Sequence, residues 1–151
     1  MTGEGASPPR PESGRIVSLR QPVYTFDIDF AGIVSNIVYL RWSEIWRLEF
    51  LGRLGVSVEE MMGSGIVPTM VRQELNYRKS MRLGQAAILE GWVERVGTSS
   101  VGMWLEMRDA ASGELCCDNR QVMVMVDGRT GASTPIPAAW REKLIALSPA
   151  P

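Results

Sequence analysis

Two carboxylates, Asp27 and Asp29, stand at the end of an apolar run and lead into a glycine-containing turn, Phe30-Ala31-Gly32-Ile33-Val34. Ser35 and Asn36 follow, residue types that cap helices, and an apolar, amphipathic run then continues to Leu51, ahead of Gly52. This order aims a carboxylate at the start of a helix. The first N–H groups of a helix have no partner inside it and carry partial positive charge, so they can polarise a carbonyl oxygen. A carboxylate beside such donors suits acyl transfer. Taken alone, Asp29 reads equally well as a plain turn aspartate and as a catalytic group. Asp27 is read as a residue that caps or hydrogen-bonds the loop. No further ligands cluster around the pair, so a metal site is not expected.

Composition narrows the chemistry further. The chain has 151 residues and no histidine. That removes Ser-His-Asp and Cys-His nucleophile pairs, histidine metal sites and the usual base near neutral pH. Carboxylates, phenols, thiols, cations and backbone dipoles remain. The net charge of −1 gives no argument for a nucleic-acid or membrane-surface partner. Cys116 and Cys117 are adjacent, which makes them poor disulfide partners and too few for a closed zinc site. A reduced, cytoplasmic protein is expected. No apolar stretch has the length of a transmembrane helix. Residues 1–15 carry Gly, Pro, Ser and charge with almost nothing to bury; they are expected to form a disordered tail without a signal peptide, ahead of one domain over residues 16–147.

The elements that must hold Asp29 and Asn36 are legible as a pattern. A first strand is expected over residues 16–26, with Pro22 pointing to an edge position. A helix is expected over residues 36–51, stopped by Gly52, and a short second helix over residues 56–62. Strands are expected over residues 66–79, 85–96, 100–109 and 115–127, joined by short turns as in an antiparallel meander. Pro135-Ile136-Pro137 leads into a last helix over residues 138–147. The long helix is apolar over much of its circumference, so it belongs in the centre of the fold. Its polar residues Arg41, Glu44 and Arg47 are three apart and read as an ion-pair cluster. The fold class is α+β: a sheet wrapped around one long helix.

With the elements in order, the pattern Asp29-x-x-Gly32-x-Val34-x-x-x-x-Tyr39-Leu40-x-x-x-Glu44 resembles the signature of hotdog-fold acyl thioesterases, in the branch typified by 4-hydroxybenzoyl-CoA thioesterase. Asn76-Tyr77, Leu83-Gly84 and Arg95-Val96-Gly97-x-Ser99-Ser100 resemble the strand and turn positions of that family, and Pro137 before the last helix fits it too. The likeness covers roughly residues 18–145. It implies a curved antiparallel sheet around a central helix, pairing into a homodimer, with dimers pairing again into a homotetramer and pockets at the dimer interface. It implies hydrolysis of an acyl- or aroyl-CoA, or an acyl-carrier-protein thioester, with no cofactor beyond coenzyme A as part of the substrate. The catalytic carboxylate falls on Asp29, the carbonyl-polarising N–H on Asn36 or its neighbours, and the close-approach glycine on Gly32.

Asp29 would serve as nucleophile or as general base on water; neither route needs histidine. Tyr24, Ser35, Tyr39 and Glu44 are the candidates for the substrate pocket. Arg78, Lys79 and Arg82 are the candidates for the phosphates of coenzyme A, or else form a solvated turn. The chain departs from many relatives in having no histidine within Val34-Ser35-Asn36-Ile37-Val38. That departure motivates the alternative: a non-catalytic hotdog module that binds acyl groups or a partner without hydrolysis.

Overall fold

The computed structural model describes residues 6–149. Its strands are β1 (Val17–Pro22), β2 (Ile66–Tyr77), β3 (Ala86–Val96), β4 (Ser100–Asp109) and β5 (Leu115–Asp127). The helices are α1 (Asn36–Leu54), α2 (Val58–Gly63) and α3 (Ala138–Leu147). The strands form one sheet in the order β1-β3-β4-β5-β2, and every neighbouring pair is antiparallel. Register shifts at Met70/Arg72, Val93/Arg95 and Met107/Arg108 insert extra residues, which bend strands and increase twist. The sheet curves around α1, giving the expected hotdog architecture.

The two faces of the sheet follow from strand alternation. Ala87, Leu89 and Val93 of β3 join the core beneath α1, together with Val38, Trp42 and Trp46 of the helix. Gly91 lies on the same face. A Cβ there would sit 2.3 Å from Cζ2 of Trp46, so the indole lies directly on bare backbone. Trp46 Nε1 donates to the Val17 carbonyl at 2.9 Å, which ties α1 to β1. On the opposite face, Trp92 and its partner across the strands, Trp104, are covered by cations. Arg10 lies 5.6 Å from the Trp92 ring centre and pairs with Glu90 and Glu106; Arg120 lies 5.1 Å from the Trp104 ring centre. Thus Ala6 and Arg10 of the expected tail lie against this outer face, while the Gly14 carbonyl accepts from Arg53 of α1 and Arg15 donates to the Ser148 carbonyl; residues 1–5 of that tail lie outside the described residues.

Three features differ from the sequence reading. β1 ends at Pro22, and Thr25–Asp27 forms a 3-10 turn, because the Asp27 carboxylate accepts the Tyr24 N–H at 2.8 Å and folds the chain over. Helix α1 runs past Gly52 to Leu54. Its terminator is Gly55, which takes the left-handed conformation at φ 70° and donates to the Gly52 carbonyl. The apolar circumference of α1 is not buried all round in the single chain: Ile37 is 50% exposed and Leu48 60%. Both β1 and β2 are edge strands, consistent with Pro22 and Pro68 within them.

Candidate active site

The loop between β1 and α1 is folded by its own backbone. Ile28 and Val34 form an isolated antiparallel bridge. Inside it the Asp29 carbonyl accepts the Gly32 N–H at 3.0 Å, and the Asp29 N–H donates to the Ile33 carbonyl at 2.9 Å. Asp29 Oδ1 accepts the Ala31 N–H at 2.8 Å, the local turn that aspartate favours. Gly32 has φ 75°, a left-handed conformation that costs a residue with a side chain about 1–2 kcal/mol. Asp29 Oδ2 accepts no hydrogen bond among the described residues, so one carboxylate oxygen is tethered and the other is available.

The same loop sets the start of α1. Asp27, buried, gives its carbonyl to the Ser35 N–H at 2.9 Å. The Val38 N–H goes to the Ser35 carbonyl at 2.9 Å. Ser35 is the N-cap, yet its side chain makes no capping hydrogen bond. The N–H groups of Asn36 and Ile37 are therefore without partners among the described residues. Here the positive end of the helix is unspent.

Asp29 and Asn36 line one cavity of about 280 Å³ with Ile33, Val34, Tyr39, Tyr77, Arg78, Lys79 and Ser80. Tyr77 donates its hydroxyl to the Asn36 carbonyl at 3.1 Å, and its ring meets Tyr39 edge-on at 5.5 Å. Burial first, then the nearby Cys117 and Cys116 thiols, pushes the Tyr39 phenol up to about 12, so it stays protonated. Burial also raises Tyr77. The wall thus offers neutral phenols, a carboxylate, open amides and two cations. Arg78 Nε pairs with buried Asp118 at 2.9 Å, and Lys79 pairs with Glu114.

Of the residues singled out from the sequence, Asp29, Asn36, Tyr39, Arg78 and Lys79 come together here. Gly32 shapes the loop, and Arg82 Nη1 reaches its carbonyl at 3.4 Å. Tyr24 does not line this cavity; it stacks on Phe26 at the surface, because the Asp27 turn carries it away. Ser35 serves through its backbone as N-cap and does not line the cavity either. Glu44 lies eight residues along α1 from Asn36, about 12 Å at the helical rise. It faces a different cavity, of about 420 Å³, between the second half of α1, α2, the start of β2 and α3. Arg47 pairs with Glu44 at 3.6 Å, but Arg41 takes no part in an ion pair among the described residues.

Sequence reasoning matched Tyr77 only as a strand position and passed over Ile33, Val34 and Ser80 as lining residues. An aromatic side chain at the end of an edge strand, level with the helix start, was the available signal for Tyr77. The larger cavity left no local mark in the sequence.

Comparison with known proteins agrees with the fold. The profile of the thioesterase-like superfamily matches residues 23–144. A candidate esterase of Synechocystis sp. is 27% identical over 128 residues, covering 84% of this chain and 75% of that protein. Among solved structures, a DHNA-CoA thioesterase from Staphylococcus aureus superposes with a TM-score of 0.81 at 20% identity, over 87% of this chain and 90% of the other. A thioesterase of Thermus thermophilus solved with coenzyme A and zinc gives a TM-score of 0.75 at 27% identity, over 90% of this chain and 96% of the other.

Proposed function

The chain belongs to the thioesterase-like superfamily and is a thioester hydrolase; from that premise we propose that the cavity shared by Asp29 and Asn36 splits an acyl or aroyl thioester of coenzyme A or of an acyl carrier protein. The observation that carries this reading is the juxtaposition in one cavity of a half-tethered carboxylate and an uncapped helix start. The thioester carbonyl oxygen would rest on the Asn36 and Ile37 N–H groups, which strengthen their hold as charge develops on it. By one route Asp29 Oδ2 attacks the carbonyl carbon, the C–S bond breaks, the thiolate leaves and is protonated, and water then cleaves the mixed anhydride. By the other, Asp29 takes a proton from water as the water oxygen attacks, and the thiol departs with a proton. Each route ends in a free acid and a thiol.

The neighbouring residues take supporting roles. Arg78 and Lys79 stand where phosphates of a coenzyme A arm could meet them, and Arg82 steadies the loop through Gly32. Tyr39 and Tyr77, held as neutral phenols, form the wall beside the carbonyl. No resident cofactor is required. The outer edge of β2 and the exposed apolar side of α1, with Val67, Val71, Ile37 and Leu48, suit a second copy of the chain, making a homodimer that can pair again. Among the described residues no helix is long and apolar enough to cross a membrane. The free, buried thiols Cys116 and Cys117 suit a reducing cytoplasm.

Thiol release from a panel of aromatic and aliphatic acyl-CoAs, and from the matching carrier-protein thioesters, tests this reading. Turnover of at least one member is expected. Tight binding of acyl-CoA without any thiol release would instead identify a non-catalytic acyl-binding module.

A further inference from the structure

Trp92 and Trp104 stand opposite each other on β3 and β4, on the face of the sheet turned away from α1, yet they are only 1% and 2% exposed. Side chains on the open face of a single antiparallel layer stay wet unless something lies on them. Here the chain itself does so. Arg10 lies on the Trp92 ring, and the Ala6 carbonyl accepts at 3.1 Å from Arg120, the arginine that covers Trp104. Residues 6–10 thus cross this face. Beyond them Ser13–Arg15 forms a 3-10 turn that pins the segment, since the Gly14 carbonyl accepts from Arg53 Nη2 at 3.2 Å and Arg15 donates to the Ser148 carbonyl.

Arg10 fills a slot shaped for a guanidinium. Glu90 and Glu106 are direct partners across β3 and β4, and like charges so placed repel. Arg108 pairs with Glu106, at 2.8 Å. Arg10 bridges both carboxylates, with Nη1 3.1 Å from Glu106 and Nη2 on Glu90, while its charge rests 5.6 Å from the Trp92 ring centre. Among the described residues Glu90 has no other ion pair. Pro8, Pro9 and Pro11 surround Arg10 in the sequence. Their fixed φ leaves little backbone freedom to lose on docking. A segment with almost nothing apolar to bury is therefore held by charge and by its own stiffness.

We propose that residues 6–10 are a strap, latched by Arg10, that keeps the outer face of the sheet from stacking on the same face of a second copy. The bare face is complementary to itself. Trp104 lies on the middle strand β4, with Glu90 and Glu94 on β3 to one side and Arg120 on β5 to the other. Glu94 and Arg120 already meet across it at 3.1 Å. A two-fold axis along β4 sets each β3 over the β5 of the other copy, acids over arginine and indole over indole. The strap occupies the space that the second sheet would take. This inference rests neither on hydrolysis at Asp29 nor on copies meeting along β2, because it is read as a change of mass relative to the wild type.

Light scattering on the full chain at about 100 μM, where weak contacts between copies are populated, tests it. Arg10→Glu, repelled by Glu90 and Glu106, should raise the weight-average mass about two-fold over the wild type. Arg10→Ala should raise it less, and Arg10→Lys, which keeps a cation on the ring, should stay at the wild-type mass. An excess of a synthetic peptide of residues 6–13 should return Arg10→Glu to the wild-type mass. Should Arg10→Glu fail to fold, Arg10→Ala carries the same reading. The proposal is overturned if the folded variant gains no mass, if Arg10→Lys gains as much as Arg10→Glu, or if the peptide leaves the gain in place.

Discussion

The two halves of α1 make opposite kinds of space. At its N-terminal end the cavity is small; phenols from α1 and β2 and two cations join a carboxylate and backbone N–H groups set by a seven-residue loop that bonds to itself. Along its C-terminal half the cavity is larger and apolar, and its one cation is held by a partner 74 residues away in sequence. The first is an electrostatic device, where removing a single hydrogen matters. The second is a packing device, where volume and one charge matter. A substitution should therefore damage activity at one end and stability at the other.

The sharpest way to separate them is Asn36→Pro. Proline is tolerated at the first helical position, and Ser35 already has the extended conformation that a following proline demands. The change removes little more than the side-chain amide and one N–H. Loss of one such donor lowers kcat about 10²–10³-fold, with the melting temperature nearly unchanged. An unaltered kcat would mean that the helix start does not hold the carbonyl.

The packing side is probed by Gly91→Ala. Its new methyl would collide with the Trp46 ring and with the Trp104 carbonyl, 2.8 Å away. Overpacking of this kind costs typically about 1–3 kcal/mol, seen as a lower midpoint in chemical denaturation. The ratio of kcat between acyl-CoAs should change less than the midpoint does.

Alkaline titration sharpens the contrast in a different way. The Cys117 thiol is pushed up to about 12, by burial first and then by Asp118, from an ordinary value of 9.0. The unfolded chain sheds that proton near pH 9 and the folded chain only near 12. Stability contributed by the neutral thiol is thus whole below pH 9 and lost as the pH rises from there towards 12. Tyr39, up to about 12 from 10.0, adds to the same fall. Thermal melts should show a midpoint that declines across this window, and Cys117→Ser should flatten the decline.

The smallest effect belongs to Tyr77→Phe, which deletes only the hydroxyl on the Asn36 carbonyl. A hydrogen bond of this type contributes about 0.5–1.5 kcal/mol. A several-fold loss in kcat/KM is expected, with the fold intact.

The same contrast explains what the sequence disclosed. Asp29, Gly32 and Asn36 lie within eight residues, so turn chemistry and capping preferences place them without knowledge of the fold. The strands and α3 are legible for a similar reason, since alternation and turn residues are local. Misreadings occur where a nearby competitor wins. Gly52 yields to Gly55 as terminator, and the Asp27 turn sends Tyr24 outward. Glu44 matched a motif, but helical rise carries it to the other cavity. The pairs Ser43 with Asn119 and Arg47 with Gln121 were illegible, because each joins α1 to a strand more than seventy residues later.

Asp29→Asn is the most direct test of the central claim. Asparagine keeps an oxygen for the Ala31 N–H, so the loop should keep its shape while the negative charge is lost. On whichever acyl thioester the wild-type chain turns over fastest, kcat for thiol release should fall about 10²–10⁴-fold, with an unchanged melting temperature. A variant that releases thiol as fast as the wild type would contradict a catalytic role for Asp29.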